Sequence, residues 1–301
     1  MSPFSALIVQ HFISGDAYYT GIFCLILAVA WRRFGWIGKE SLVWFWAVMG
    51  GMFVLLSGTA MFNGVLLSGL VTIGWLLLEK PPGAEPAPTI KQPASRRHFS
   101  VDGWLGLVVV VLWLFEGAIE LPWRFLPVLS PDSRDRPIVV LGDSLSAESE
   151  DGNMTAWPDQ IAKATDRKVT NASEPGATLR SAIPRVKEVI PKNSLVFIEL
   201  GGNDLLEKLS PADFRNQLNQ LLEEVTAQAG ETVMFELPLP PFTLEYGQII
   251  RELTTRHRVK LIPRRVLSNV LVSPITTTDS LHLNQAGHDK LSRLLLPTLN
   301  R

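Results

Sequence analysis

The sequence has almost no cysteine: Cys24 is the single one among 301 residues. One thiol cannot close an intrachain disulfide, so cysteine usage does not report the compartment. There is no CxxC or HExxH motif, and of the five histidines (His11, His98, His257, His282, His288) only the last two lie near one another. No Cys or Glu cluster completes a ligand set around them, so neither a metal nor a cofactor is expected. Net charge is only −1, and the C-terminal half has no Lys/Arg cluster with interleaved aromatics. Nucleic acid is therefore not an expected partner. Lys and Arg are also missing from the N-terminus before Arg32, where a signal peptide would carry its basic start.

Apolar length is abundant, and it is unevenly placed. Long uncharged runs fill the first ~130 residues, whereas the rest mixes charge and apolar residues as a soluble domain does. A bilayer core needs about 20 apolar residues in helical form. The pattern predicts four spans, at about 13–32, 42–58, 62–78 and 104–123. The charge-free stretch Leu42–Leu78 is too long for one ordinary span, and Ser57-Gly58-Thr59 through Asn63-Gly64 offers its break. Tryptophans 31, 36, 44, 75, 104 and 123 stand near predicted ends, as interfacial anchors do.

Arg32, Arg33 and Lys39 lie between spans one and two; Lys80, Lys91, Arg96 and Arg97 lie between three and four. Four spans put both basic loops on the cytoplasmic side, and the C-terminal domain outside the cytoplasmic membrane, periplasmic in a Gram-negative cell. The Pro/Ala-rich stretch 81–93 reads as an extended linker. Glu116 and Glu120 share one face of span four. Either Glu120 stands at the outer interface and Glu116 is solvated or paired in the bundle, or the two form a functional acidic face in the membrane.

The expected domain boundary is 128/129. Beyond it, short apolar runs at Ile138–Leu141, Val169–Asn171, Leu195–Leu200, Val233–Glu236 and Lys260–Ile262 alternate with helical stretches. Those stretches are Trp157–Ala164, Thr178–Val189, Asp213–Ala229, Tyr246–His257 and Gln285–Leu296. Such alternation predicts a three-layer α/β/α domain on a parallel sheet, with reactive residues at the carboxyl ends of its strands.

Three motifs stand at those ends. Gly142-Asp143-Ser144 follows the first strand, with Gly142 permitting a tight turn. Gly201-Gly202-Asn203-Asp204 follows the third, and Asn203 offers an amide donor suited to a developing oxyanion. Asp279-Ser280-Leu281-His282 precedes the last helix, where a carboxylate beside His would fix the imidazole tautomer. Singly, each has an ordinary reading: a turn, a helix entry, a capping Asp with a surface His. Their joint order at strand ends and helix entries is far more specific.

Residues from about Pro137 to Pro297 resemble the SGNH/GDSL hydrolase family, in particular its small bacterial thioesterase/lysophospholipase type. The matching residues are Leu141–Ser146, Trp157-Pro158, Asn171-Ala172-Ser173 with Gly176, Glu199–Asp204, and Asp279–His282 with Asn284. The resemblance implies Ser144 as nucleophile, His282 as general base and then acid, and Asp279 as its orienter. It implies an oxyanion hole of the Ser144 N–H, the Gly176 N–H and the Asn203 side chain, with Asp143 supporting the turn. Departures are Ala147-Glu148 with Glu150 and Asp151 after the serine motif, Ser280 after the Asp and Leu283 after the His. The acidic loop is either merely solvated or unfavourable to anionic substrates. Pro-rich Leu237–Phe242 is a candidate acyl contact.

The expected function is a membrane-anchored ester hydrolase working through an acyl-enzyme on a small-molecule or lipid acyl ester. Alternatives are acyl removal from or transfer to a cell-surface polysaccharide, a non-catalytic module that binds an acyl ligand, and a transporter or sensor resting on Glu116 and Glu120.

Overall fold

The structure, a computed structural model, describes residues 2–34, 40–59, 62–78, 101–148, 153–241, 243–279 and 282–299. The expected linker at 81–93 lies outside them. The chain divides into a helical unit (Ala17–Leu56 and Met61–Leu121) and a sheet unit (Met1–Asp16, Ser57–Ala60 and Pro122–Arg301). The sheet unit thus starts its main segment at Pro122 and includes two N-terminal pieces.

The first helix, α1 (Pro3–Ile13), is capped by Ser2, whose Oγ accepts the Ser5 N–H at 3.1 Å. It ends at Ser14-Gly15, where Gly15 takes φ +87° and a Cβ would sit 2.5 Å from the Arg264 guanidinium. The helical unit then holds α2 (Asp16–Phe34), α3 (Glu40–Leu56), α4 (Phe62–Leu77) and α5 (Val101–Glu120). Glycines set its crossings: a Cβ on Gly21 would meet the Gly50 carbonyl at 2.7 Å. Arg32 closes the open end of α4, donating to the Leu76 and Leu78 carbonyls at 3.1 and 2.7 Å and pairing with Asp102 at 2.9 Å. Glu116 is buried, not solvated, against Gly64 and Ser68, and Ser68 Oγ donates to it at 3.3 Å. Outside this core the unit is apolar: Phe23, Phe45, Val48, Leu70, Val111 and Phe115 are all exposed.

Four spans are more than length and composition support among the described residues. Among the described residues one helix, Val101–Arg124, is long and apolar enough to cross a membrane; a second candidate exists only if α1 and α2 count as one broken span. Gly15 breaks α1 from α2, and the break at 57–59 parts α3 from α4, which run 17 and 16 residues, about 25 Å at 1.5 Å per residue, short of a ~30 Å core.

The sheet unit is built on five parallel strands: β1 (Ile138–Gly142), β2 (Val169–Asn171), β3 (Leu195–Glu199), β4 (Glu231–Phe235) and β5 (Lys260–Ile262), in the order β2-β1-β3-β4-β5. Ile138 aligns with Val169 on one side and Leu195 on the other. Alternate residues feed two cores: Val139, Leu141, Val196 and Ile198 face one, Ile138, Val140, Leu195 and Phe197 the other. The helices are α6 (Trp157–Thr165), α7 (Leu179–Ala182), α8 (Val186–Val189), α9 (Gly202–Leu206), α10 (Pro211–Gln228), α11 (Leu244–Arg256), α12 (Arg264–Leu271) and α13 (Gln285–Leu299). Pro184 divides the single helix expected over Thr178–Val189.

At the carboxyl end of β4, buried Glu236 accepts from Arg251 Nε at 2.6 Å and from the Arg264 backbone N–H at 3.2 Å. The buried Arg264 guanidinium reaches the Gly58 carbonyl and Thr59 Oγ1. That contact binds the 57–60 piece into the sheet unit.

Candidate active site

Strand β1 delivers Ser144 two residues past its end. Gly142 does not take a left-handed backbone here, contrary to the expected reason for it. Crowding requires it: a Cβ would lie 2.7 Å from Ser146 Cβ and 2.8 Å from Ser173 Oγ. Asp143 fixes the turn, its Oδ1 accepting the Leu145 N–H at 2.9 Å. Its Oδ2 accepts from Asn203 Nδ2 at 3.2 Å.

Under the turn lies Glu199, the last residue of β3 and only 1% exposed. Its Oε2 accepts from Ser146 Oγ at 3.0 Å, and Ser146 Oγ in turn accepts from Trp157 Nε1 at 3.1 Å. Burial, the adjacent Asp143 charge and a hydrogen bond to Asp143 push the Glu199 carboxyl well above its ordinary range. Burial also raises Asp143, against the opposing pull of the Leu145 N–H, Glu199 and His282. Two adjoining buried carboxyls disfavour each other's ionisation, and the upward push is the stronger on Glu199.

The third strand ends in Gly201 at φ +108°, and α9 begins there. Asn203 Nδ2 donates to the Ala177 carbonyl at 2.9 Å as well as to Asp143. Asp204 turns the other way, accepting the Leu179 N–H at the start of α7 at 3.1 Å. Gly176 lies just before Ala177 at φ +74°, and a Cβ there would meet nothing within 4 Å.

Asp279 and His282 meet: Oδ2 stands 2.7 Å from His282 Nδ1, and Oδ1 accepts the His282 backbone N–H at 2.8 Å. Both side chains are half exposed. A proton on Nδ1 leaves Nε2 as an acceptor. Asn284 braces this loop, donating to the Ile275 carbonyl at 2.9 Å and accepting the Gly287 N–H at 3.1 Å.

Ser144, Asn203 and His282 line one pocket of about 650 Å³, together with Asp143 and Glu199. Gly176 and Asp279 are not among its walls; they join it through Ala177–Asn203 and through His282. Most of the remaining wall is apolar, including Leu145, Leu205, Leu237, Leu239, Tyr246 and Leu271, with Lys208 as a cation. Of the candidate acyl stretch, Leu237–Pro240 lines the pocket, while Phe242 lies outside the described residues. Glu150, Asp151, Ser280 and Leu281 also lie outside them; Glu148 is exposed.

The profile of the GDSL-like Lipase/Acylhydrolase family matches residues 140–290, half of the chain. The chain belongs to this family. Esterase TesA of Pseudomonas aeruginosa is 25% identical over 186 residues, covering 58% of this chain and 92% of that protein. Thioesterase 1/protease 1/lysophospholipase L1 of Escherichia coli K12 is 27% identical over 195 residues, covering 60% and 94%. A solved structure of TesA aligns at 24% identity over 55% of this chain and 98% of its own, with a TM-score of 0.49. This GDSL-like chain is an ester-hydrolysing serine hydrolase.

Three groups in this GDSL-like site lie beyond the expected residues. Glu199 was only a motif letter at a strand end. Leu267 and Leu271 of α12 form pocket wall, although Val266, Leu267, Val270 and Leu271 carried a helical spacing that could have found them. Lys208 had no signal.

Proposed function

We propose that this chain is a membrane-anchored esterase of single-chain acyl esters, with Ser144 as nucleophile. Ser144 Oγ attacks the ester carbonyl carbon and gives its proton to His282 Nε2, while Asp279 holds the imidazole and stabilises its charged form. The carbonyl oxygen becomes an oxyanion facing the Ser144 N–H, the Gly176 N–H and the Asn203 amide. The C–O bond breaks, the alcohol leaves with the proton from His282, and the acyl group stays on Ser144. Water repeats the sequence and releases the acid. Both Asn203 amide protons now face acceptors, Asp143 and Ala177. The oxyanion therefore takes over one of these, and the remaining bond keeps the amide oriented.

The observation that carries this reading is the Asp279–His282 bond beside a pocket lined by Ser144, His282 and Asn203 together. The apolar wall favours an acyl chain over a sugar. Ser144→Ala should abolish p-nitrophenyl butyrate turnover and labelling by a fluorophosphonate probe. Turnover that survives in this variant would end the assignment.

The membrane anchor is the helical unit, α2–α5. Its support is its exposed apolar surface, the charge-free stretch 42–78 and the buried polar groups inside it. The shorter α3 and α4 need local bilayer thinning. Arg32 and Arg33, with the basic residues of 79–100, mark the cytoplasmic side, so the sheet unit faces outward. Alkaline phosphatase fused after residue 301 should be active; activity of a cytoplasmic reporter there would reverse the topology.

A further inference from the structure

Helix α1 carries no Lys, Arg, Asp or Glu, and its one titratable side chain is His11. One side of it is bound to the sheet unit: Gln10 donates its side-chain amide to Asn269 of α12, and Ala6 is buried. Its other side is bare. Phe4 is 72% exposed, Leu7 65% and Ile8 44%, and at positions i, i+3 and i+4 they form one stripe. Water does not favour such a stripe, and three side chains are far too few for the roughly 1,200 Å² that a stable dimer buries. A short uncharged helix with one apolar side fits the boundary between lipid headgroups and acyl chains. The chain itself brings it there, because only Ser14 and Gly15 separate α1 from α2.

Helix α12 connects this stripe to the chemistry. Asn269, which takes Gln10, lies two residues from both Leu267 and Leu271. At 3.6 residues per turn that separation is about 200°, so Asn269 faces away from them. Leu267 and Leu271 line the pocket that holds Ser144. Leu206, another wall residue, is itself 62% exposed, so the pocket has an apolar rim.

We propose that α1 lies in the membrane–water interface with Phe4, Leu7 and Ile8 among the acyl chains, and that through α12 it holds the pocket at the lipid surface, where the ester is taken up from the bilayer. This rests on the membrane-anchored reading of the helical unit. The bilayer then serves as the store of substrate, and the enzyme is selective for esters that partition into it.

Two measurements on the full chain test this. In a Cys24→Ser background, a fluorophore is attached at Leu7→Cys or, separately, at Val111→Cys on α5, and the protein is placed in phosphatidylcholine vesicles. Nitroxide lipids labelled high on the acyl chain should quench the Leu7 site, and deeply labelled ones the Val111 site. Quenching at Val111 with only aqueous iodide quenching at Leu7 would overturn the proposal while leaving the anchor intact. Lipid quenching at neither site would overturn both. Independently of labelling, the double variant Phe4→Ser/Leu7→Ser should hydrolyse water-soluble butyrate ester at the wild-type rate. It should lose at least about tenfold on a long-chain ester held in vesicles, since two apolar side chains leave the lipid. Equal rates on both substrates, or equal losses on both, would refute it.

Discussion

Replacing Glu199 gives a quantitative test of the proton held under the catalytic turn. Its carboxyl lies well above its ordinary value of 4.5, because of burial first and the Asp143 charge second. Above pH ~4.5 the unfolded chain releases this proton and the folded chain keeps it. Its stabilisation is therefore complete below that pH and falls as pH rises toward the folded value, by up to about 1.4 kcal/mol per pH unit. Glu199→Gln keeps an acceptor for Ser146 Oγ and a donor toward Asp143 but cannot titrate. Near pH 4.5 it should match the wild type within about 0.5 kcal/mol, and it should become progressively the more stable protein as pH rises. Glu199→Ala strands the Ser146 hydroxyl and leaves a cavity at a fully buried site, which costs about 2–5 kcal/mol. Thermal unfolding of the three proteins in one detergent from pH 4.5 to 8 reads these differences. A gap between Gln variant and wild type that stays constant with pH would show that Glu199 holds no such proton.

Other consequences are simpler to check. Asn203→Ala should lower kcat by about 10²–10³ on p-nitrophenyl butyrate, with fluorophosphonate labelling still visible at long times; an unchanged kcat would remove Asn203 from the oxyanion site. Leu239→Trp narrows the pocket, and each methylene it excludes should cost roughly fourfold in kcat/KM, read across a C4–C12 ester series; an unaltered chain-length profile would place the acyl group elsewhere. Gly142→Ala forces a methyl within 2.8 Å of Ser146 and Ser173 and should cost about 1–3 kcal/mol in thermal unfolding, whereas a neutral result would contradict the crowding argument.

The parallel sheet was legible because its strands are continuous apolar runs, buried on both faces, with helical spacing between them. The strand-end motifs were legible because glycine and small polar residues cluster where the chain must turn. Positions that depend on distant partners were not. Gly15 ends α1 beside Arg264, some 250 residues away in sequence, and no local pattern announces that. Apolar length and the Ser57-Gly58-Thr59 break place the spans, but apolar length does not mark the bend between α1 and α2. Glu199 reads as an ordinary polar strand end; its meaning comes from Asp143 and Ser146, which the fold sets against it.

The grip of Arg264 on Gly58 and Thr59 has a practical consequence for anyone who wants the esterase alone. Cutting the chain at Pro122, where the helical unit ends, would remove the Gly58 and Thr59 acceptors and leave a guanidinium 5% exposed with fewer partners. Hydrogen bonds to a buried charged group of this kind contribute about 1.5–3 kcal/mol each, a large share of a domain's stability. The sheet unit is thus not a continuous C-terminal cassette. It is a discontinuous body, threaded by the chain three times, and its two early segments wait for partners synthesised long after them.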